Sequence, residues 1–351
     1  MLFKFLLGNI SLGANRKIPF VYVLWFALAL FAVLAELFHH SINNYLIFKN
    51  VFWHLIQQKN IFLYYPAEYE DHNLYGPIFS LIIAPFAILP TWAGVILWVM
   101  FSAAFLFYAV HQLPLSKKAI TAVLLISAID FMTSCHNVQS NAFIAGCIIL
   151  SYTFIQKEKD FWSALFVAIG FLVKIYGVAG IVFFMFSTHK IKFAGSFIFW
   201  LIVLFCLPML ISSPGFILQT YHDWFVTLSE KNVHNLNIAQ VNMQNLSVMG
   251  MISRTTHYAQ LSNLWVLIPA ASLISLPLVR FKLYNNVVFQ LYYLCIALIS
   301  VVIFSTGSES ATYVIAIVGV AIWYVLNMHK NSTPNIIVLV SALLITSLSS
   351  T

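Results

Sequence analysis

With 351 residues, 62% of them hydrophobic and only 8% charged, this chain lies outside the composition of soluble globular domains. Its mean hydropathy is +0.92, and the apolar residues come in continuous runs rather than alternating short segments. That pattern predicts an all-α polytopic transmembrane bundle and excludes a β-barrel, because backbone in lipid has to be satisfied inside each helix. The formal charge of +7 reads as a membrane-topology signal, with no nucleic-acid footprint.

In chain order, apolar runs fall at roughly 19–38, 77–90, 92–110, 119–135, 141–156, 161–188, 193–211, 264–279, 287–305, 311–328 and 335–350. They predict about 10–12 membrane segments in a single domain, several shorter than the roughly 20 residues of a straight span. Residues 1–18 lack a small-residue cleavage site, so the first run is expected to be a retained helix. Arg16 and Lys17 precede it and predict a cytoplasmic N-terminus. Residues 39–76 and 212–263 are then outer loops. The last run ends at Thr351 with no polar tail, as a truncated C-terminus would.

The basic residues set the parity. If 77–90 crossed fully, Lys117/Lys118, Lys157/Lys159, Lys190/Lys192, Arg280/Lys282 and Lys330 could not all face the cytoplasm. If 77–90 is broken or re-entrant, and 161–188 is a pair of short helices, all of them do. Pro77, Pro85 and Pro90 make a broken segment physically reasonable. Only Lys49, Lys59, Lys174, Lys231 and Arg254 are then left outside.

That topology sends the polar stretches to one side. Glu68, Glu70 and Asp71 come first, in YYPAEYEDHNLYGP; each could be a solvated loop charge, yet carboxylates at a membrane boundary suit proton transfer. Asp71 is nearest the apolar segment that begins at Tyr75–Pro77 and is the first choice of general base. Glu68 would share its face if the stretch were helical, and Tyr75 could hydrogen-bond either acid. In HNVQSN, His136, Gln139 and Asn141 form either a turn satisfying its own backbone or a row that binds sugar hydroxyls or a phosphate. Lys174, deep in apolar FLVKIYG, is expected to pair with an anion, either a lipid phosphate or a carboxylate. Glu309 in GSESATY is a loop charge or a second acid at the site, and Arg254 is an interfacial anchor or a phosphate ligand. The four cysteines match no metal spacing, and no P-loop, nucleophile elbow or dinucleotide fingerprint is present.

Four of these stretches resemble glycosyltransferase family 87. LYGPIFSLIIAPFAILP is similar to that family's Y-P-P-L-F-A-L-L-x-A-P-L-A-L-L-P segment, and NVQSNAFIAGCIIL to its G-Q-x-N-A-L-L turn and helix. AIGFLVKIYG resembles its G-L-A-A-x-L-K-x-x-P stretch, with Lys174 at the lysine, and NLSVMGMISR its N-x-S-L-x-G-L-L-x-R stretch. The resemblance implies GT-C architecture and transfer of a sugar, often mannose, from a polyprenyl-phosphate donor to a lipid or glycan acceptor on the outer face. It also implies a catalytic aspartate early in the first outer loop; Asn44 stands there, and an amide cannot act as a base.

Two readings follow. One is a hexosyltransferase of the bacterial inner membrane with no cofactor or compelled metal. There Asp71, Glu68 or Glu309 is the base, and Asn44, Tyr75, His136, Gln139, Asn141, Lys174 and Arg254 contact substrate. The other is a non-enzymatic carrier or flippase for a lipid-linked saccharide. A purely structural subunit would have no outer cavity.

Overall fold

The computed structural model describes residues 8–11, 17–236, 245–256, 262–328 and 332–348. A short antiparallel ribbon, β1 (Asn9–Ser11) and β2 (Lys17–Pro19), leads into a helical bundle. The first helix, α1 (Phe20–Phe38), is followed by α2 (Asn43–Ile56), α3 (Phe79–Ala87) and α4 (Thr91–His111). Next come α5 (Lys117–Ile126) and α6 (Ala128–His136), bent by 50° from one another. At the bend the Ser127 hydroxyl donates back to the Val123 carbonyl at 2.8 Å, a local competitor for the helix ladder. Then follow α7 (Asn141–Gln156), α8 (Asp160–Val173) and a tight 3-10 segment, Ile175–Phe186. The second half holds α9 (Lys190–Cys206), α10 (Pro214–Leu236), α11 (Val248–Thr256), α12 (Leu264–Ser275), α13 (Val287–Ile303), α14 (Tyr313–Asn327) and α15 (Thr333–Leu343).

Among the described residues four helices are long and apolar enough to cross a membrane, or five with the bent pair, and six shorter apolar helices accompany them. The chain is therefore an all-α polytopic bundle, as its composition predicts. Its centre is α7, from which nearly every side chain is buried, down to Ser151 and Thr153. Such an all-round buried helix has to be apolar on every face. The Ser151 and Thr153 hydroxyls turn back on carbonyls of the same helix.

The segment at 77–90 does not cross. At 1.5 Å per residue the nine residues of α3 span about 14 Å, half of a hydrocarbon core of about 30 Å. Both its ends lie against α2: the Phe79 ring is 4.9 Å from that of Phe48, while Tyr45 donates to the Phe86 carbonyl at 2.9 Å and Lys49 to that of Leu89 at 3.1 Å. Helix α2 is not an apolar run because it is amphipathic, burying Tyr45, Phe48, Phe52 and Leu55 at helical spacing.

The bundle has two distinct ends. At one, Lys157 donates to Gln112, Asp160 accepts from Ser187, the Phe186 and Tyr284 rings meet at 5.4 Å, and His111 packs on Tyr22. The basic clusters at 117–118, 157–159, 190–192 and 280–282 adjoin these contacts; Lys4, Arg16 and Lys330 lie outside the described residues. At the other end Asn44 meets Asn137, Gln139 meets Glu309, and Asn232 meets Thr306. This separation of basic and polar ends is what the broken-segment topology demands.

Residues 161–188 make two passes, and glycine explains how closely. A Cβ on Gly177 would sit 2.1 Å from the carbonyl carbon of Gly170, so the outgoing and returning backbones touch. Lys174 occupies the tip of this hairpin in extended conformation, its N–H donating to the Gly170 carbonyl at 3.0 Å. Cysteines placed at exposed Ser116 and Thr188 are expected to react with a membrane-impermeant maleimide from one side only, and a cysteine at Ala67 from the other. Labelling of all three from one side would overturn the two-ended arrangement.

Candidate functional site

The hairpin tip carries a half-buried ammonium. Lys174 donates to Asn141 Oδ1 at 2.8 Å, and its ammonium lies 5.6 Å and 5.0 Å from the ring centroids of Tyr75 and Tyr176. Among the described residues it forms no direct ion pair. Asn141 Nδ2 in turn donates to Gln139 Oε1 at 2.6 Å and to the Ala311 carbonyl at 2.9 Å, and the Gln139 amide donates to Glu309. The ammonium thus fixes the orientation of two amides in series, ending on a carboxylate. Charge on this line is neutralised at a distance, and the front of the ammonium is left to the two tyrosine faces.

That front opens into a cavity of about 440 Å³ lined by Asn44, Asp71, Tyr75, Gln139, Lys174 and Glu309. These six, singled out from sequence, converge from five separate stretches of chain. Asn44 donates to the Asn137 carbonyl at 2.7 Å and faces the cavity as a neutral group. Asn141 stands behind Gln139 and holds Lys174 in place without lining the cavity.

Sequence reasoning missed His72, Tyr176, Asn232 and Asn235, which also line it. Tyr176 accepts from Ser305 at 2.7 Å, and Asn232 accepts from Thr306 at the same distance. Asn235 is buried with its Oδ1 unpartnered. A signal existed: Leu228, Asn232 and Asn235 recur at helical spacing and share one face of α10. The expectation of an outer loop over 212–263 hides it, because a loop has no face to share.

Asp71 is held by an irregular stretch rather than a helix. Its Oδ1 accepts from the His72 N–H at 2.7 Å, His72 Nδ1 bonds the Phe62 carbonyl at 3.1 Å, and Asn73 closes a turn on Tyr75. The stretch is pinned to α10 by Asn60 donating to Asp223 at 2.9 Å and Trp224 donating to the Leu74 carbonyl at 3.0 Å. It is pinned to the hairpin by the Gly76 N–H on the Val173 carbonyl at 3.1 Å. A Cβ on Gly76 would lie 2.0 Å from the Leu172 carbonyl oxygen, so glycine is required where the loop meets Lys174's strand of chain.

Three residues are placed elsewhere. Glu68 does not share a face with Asp71, because the stretch is not helical; its carboxylate takes His54 Nε2 at 2.8 Å and does not reach the cavity wall. His136 is turned to Glu36 at the end of α1, 2.8 Å away, also off the wall. Arg254 Nη1 donates to the Asn245 carbonyl at 3.1 Å and stays outside the cavity lining. It braces a turn in which Asn245, at φ 57°, donates to the Asn235 carbonyl, and Gly250 comes so near that a Cβ would be 2.1 Å from the Asn245 oxygen. The NLSVMG motif therefore shapes the wall behind Asn235.

His54 is buried on α2 with its Nδ1 unpartnered, so the neutral ring donates from Nε2 to Glu68. Burial holds its pKa below the ordinary value, against the pull of the Glu68 charge. A depressed folded-state pKa contributes stability above the unfolded value of about 6.5 and loses it as pH falls through the folded one. The melting temperature is accordingly expected to drop below about pH 6.5, and His54→Gln to flatten that limb. A wild-type melting temperature that rises on acidification would contradict the assignment.

A search of curated proteins finds no match to this chain. The family model of glycosyltransferase family 87 matches residues 73–350, which takes in Tyr75, the Gln139–Asn141 turn, Lys174, the Asn245 turn and Glu309, and begins just after Asp71. Over most of its length, from the glycine-anchored loop to the last helix, the chain belongs to glycosyltransferase family 87.

Proposed function

We propose that this membrane glycosyltransferase moves a hexose, mannose or another, from a polyprenyl-phosphate donor to a lipid or glycan acceptor. The reaction takes place at the outer face of a bacterial inner membrane, with the N-terminus in the cytoplasm and GT-C architecture. The observation that carries the reading is Lys174, a half-buried ammonium that faces the cavity with no carboxylate in contact with it among the described residues. A buried cation is costly without an anion. A phosphate that arrives with the substrate supplies one, and also explains why the chain leaves the front of the ammonium open.

In this reading the donor phosphate sits against Lys174, between the Tyr75 and Tyr176 rings, and its lipid tail runs into the bilayer. The acceptor hydroxyl attacks the anomeric carbon. A carbon–oxygen bond forms to the acceptor as the bond to the phosphate oxygen breaks, and the electron pair leaves on the lipid phosphate. Lys174 stabilises the charge that develops there, a preorganised electrostatic role in a site of low dielectric. The hydroxyl proton passes to a carboxylate. Asp71 suits this because it lines the cavity and remains open to the outer loop, whereas Glu309 is engaged by Gln139. The reading needs no metal or cofactor, and Asn44 contacts sugar hydroxyls as a neutral partner.

Lys174→Met is expected to leave the protein folded and to weaken polyprenyl-phosphate binding about ten- to a hundredfold, the range for a hydrogen bond to a charged group. A folded variant with unchanged affinity would return the lysine to a structural role. Asp71→Asn should lower turnover by about 10²–10⁴-fold with little change in donor affinity, as loss of a general base does. If Asp71→Asn keeps full turnover while Glu309→Gln abolishes it, the base lies in the late outer loop. If the wild-type protein transfers no sugar and still moves the lipid, the carrier reading replaces the enzyme.

A further inference from the structure

A second opening of about 610 Å³ lies between the 60–74 stretch and α10, within the size range of small-molecule sites. It is not a separate hollow. Asp71, His72, Leu74 and Lys231 line both it and the Lys174 cavity, so the two meet across a common wall. Helix α10 is the partition. Leu228, Asn232 and Asn235 face the Lys174 side, while Asp223, Thr227, Glu230 and His234, spaced four, three and four residues apart, face the other.

The two sides differ in chemistry. On the Lys174 side α10 presents amides beside a half-buried ammonium. On the other it presents Asp223 and Glu230, which with Asp71 set three carboxylates against the one ammonium of Lys231. Asp223 is already oriented, each of its oxygens accepting one amide, from Asn60 at 2.9 Å and Gln219 at 2.8 Å. Oδ1 also lies 3.5 Å from His222 Nδ1, while Oδ2 retains a second lone pair for a hydroxyl. Oriented carboxylates accept from hydroxyls and repel phosphate, so this opening selects an uncharged, hydroxyl-rich head and disfavours an anionic one. Asp71, with access to both sides, stands where a proton leaving a nucleophile on one side of the wall has to be taken up.

We infer that the groove between residues 60–74 and α10 is the acceptor subsite, and that it takes an uncharged sugar head. The inference rests on the transferase reading above, with the donor phosphate at Lys174. The test uses full-length protein in nanodiscs and titrates octyl mannoside, octyl glucoside and octyl galactoside by calorimetry, with and without saturating polyprenyl phosphate. At least one glycoside is expected to bind saturably, and polyprenyl phosphate not to displace it. Asp223→Asn with Glu230→Gln is expected to weaken that glycoside about tenfold or more, as loss of charge-assisted hydrogen bonds should. Octyl phosphate is expected to leave the groove empty, which means that it does not compete with the glycoside. Thermal melting verifies folding of the double variant, and the exposed single change Glu230→Gln stands in if the double melts early. The absence of saturable glycoside binding, displacement by polyprenyl phosphate, or unchanged affinity in the folded variants would each overturn the assignment. With glycoside binding intact, a polyprenyl phosphate that fails to bind sinks the donor reading and leaves the groove assigned to the sugar head.

Discussion

An ammonium that is linked to a carboxylate only through two amides organises this protein. The Lys174 ammonium is placed in a helical bundle that offers it an amide oxygen and two aromatic faces, but no carboxylate in contact. Electrostatics in such surroundings are severe, since desolvation of an ion costs several kcal/mol even after relaxation. The surrounding residues are arranged to hold that charge rather than to cancel it. Gly170 and Gly177 let two backbones touch so that the tip can be narrow, Gly76 lets the outer loop reach the tip, and Asn141 with Gln139 hands the remaining polarity on to Glu309. Removing any one of these would let the ammonium relax toward a partner or toward water, and its front would no longer be reserved.

The same economy appears in the way outer segments are fastened. The loop bearing Asp71 has no regular structure of its own, yet it is tied at Leu74 to Trp224, at Asn60 to Asp223 and at Gly76 to the hairpin. Helix α10 supplies the fixed surface on which this irregular backbone is held. The carboxylate and the ammonium are therefore positioned through one continuous set of contacts, although Asp71 and Lys174 are 103 residues apart in the chain.

Much of this was legible in the sequence, and the reasons are physical. Hydropathy marked the spans because backbone in lipid leaves few alternatives, and the basic clusters resolved the two ambiguous runs, 77–90 and 161–188. Lys174, Glu309, Gln139 and Asp71 stood out because polar groups are rare in a chain with 8% charge, and each in fact lines one cavity. What remained hidden depended on side-chain direction. Glu68 and His136 are as polar as their neighbours, but a buried His54 and a helix-end Glu36 draw them away, and neither partner is near in sequence. Helices α2 and α10 were invisible to a search for apolar runs because each is polar on one side. With α10 unseen, Asn232 and Asn235 had no face to share.

One helix has a bearing on how the protein can be handled. Along α12 and the turn that follows it, Leu264–Val279, no residue is buried by the rest of the chain, and Leu273, Leu276 and Trp265 are among the most exposed large apolar side chains. Tyr293 reaches across to the Ile274 carbonyl at 3.0 Å and Tyr284 to that of Leu278 at 2.8 Å, which tie the C-terminal end of this stretch. Acyl chains must then supply the packing on its remaining sides, so the annular lipid is part of the tertiary structure there. A detergent micelle, whose chains are shorter and exchange faster, substitutes poorly for that layer. Solubilisation would therefore loosen this edge of the molecule before it disturbed the glycine-clasped interior.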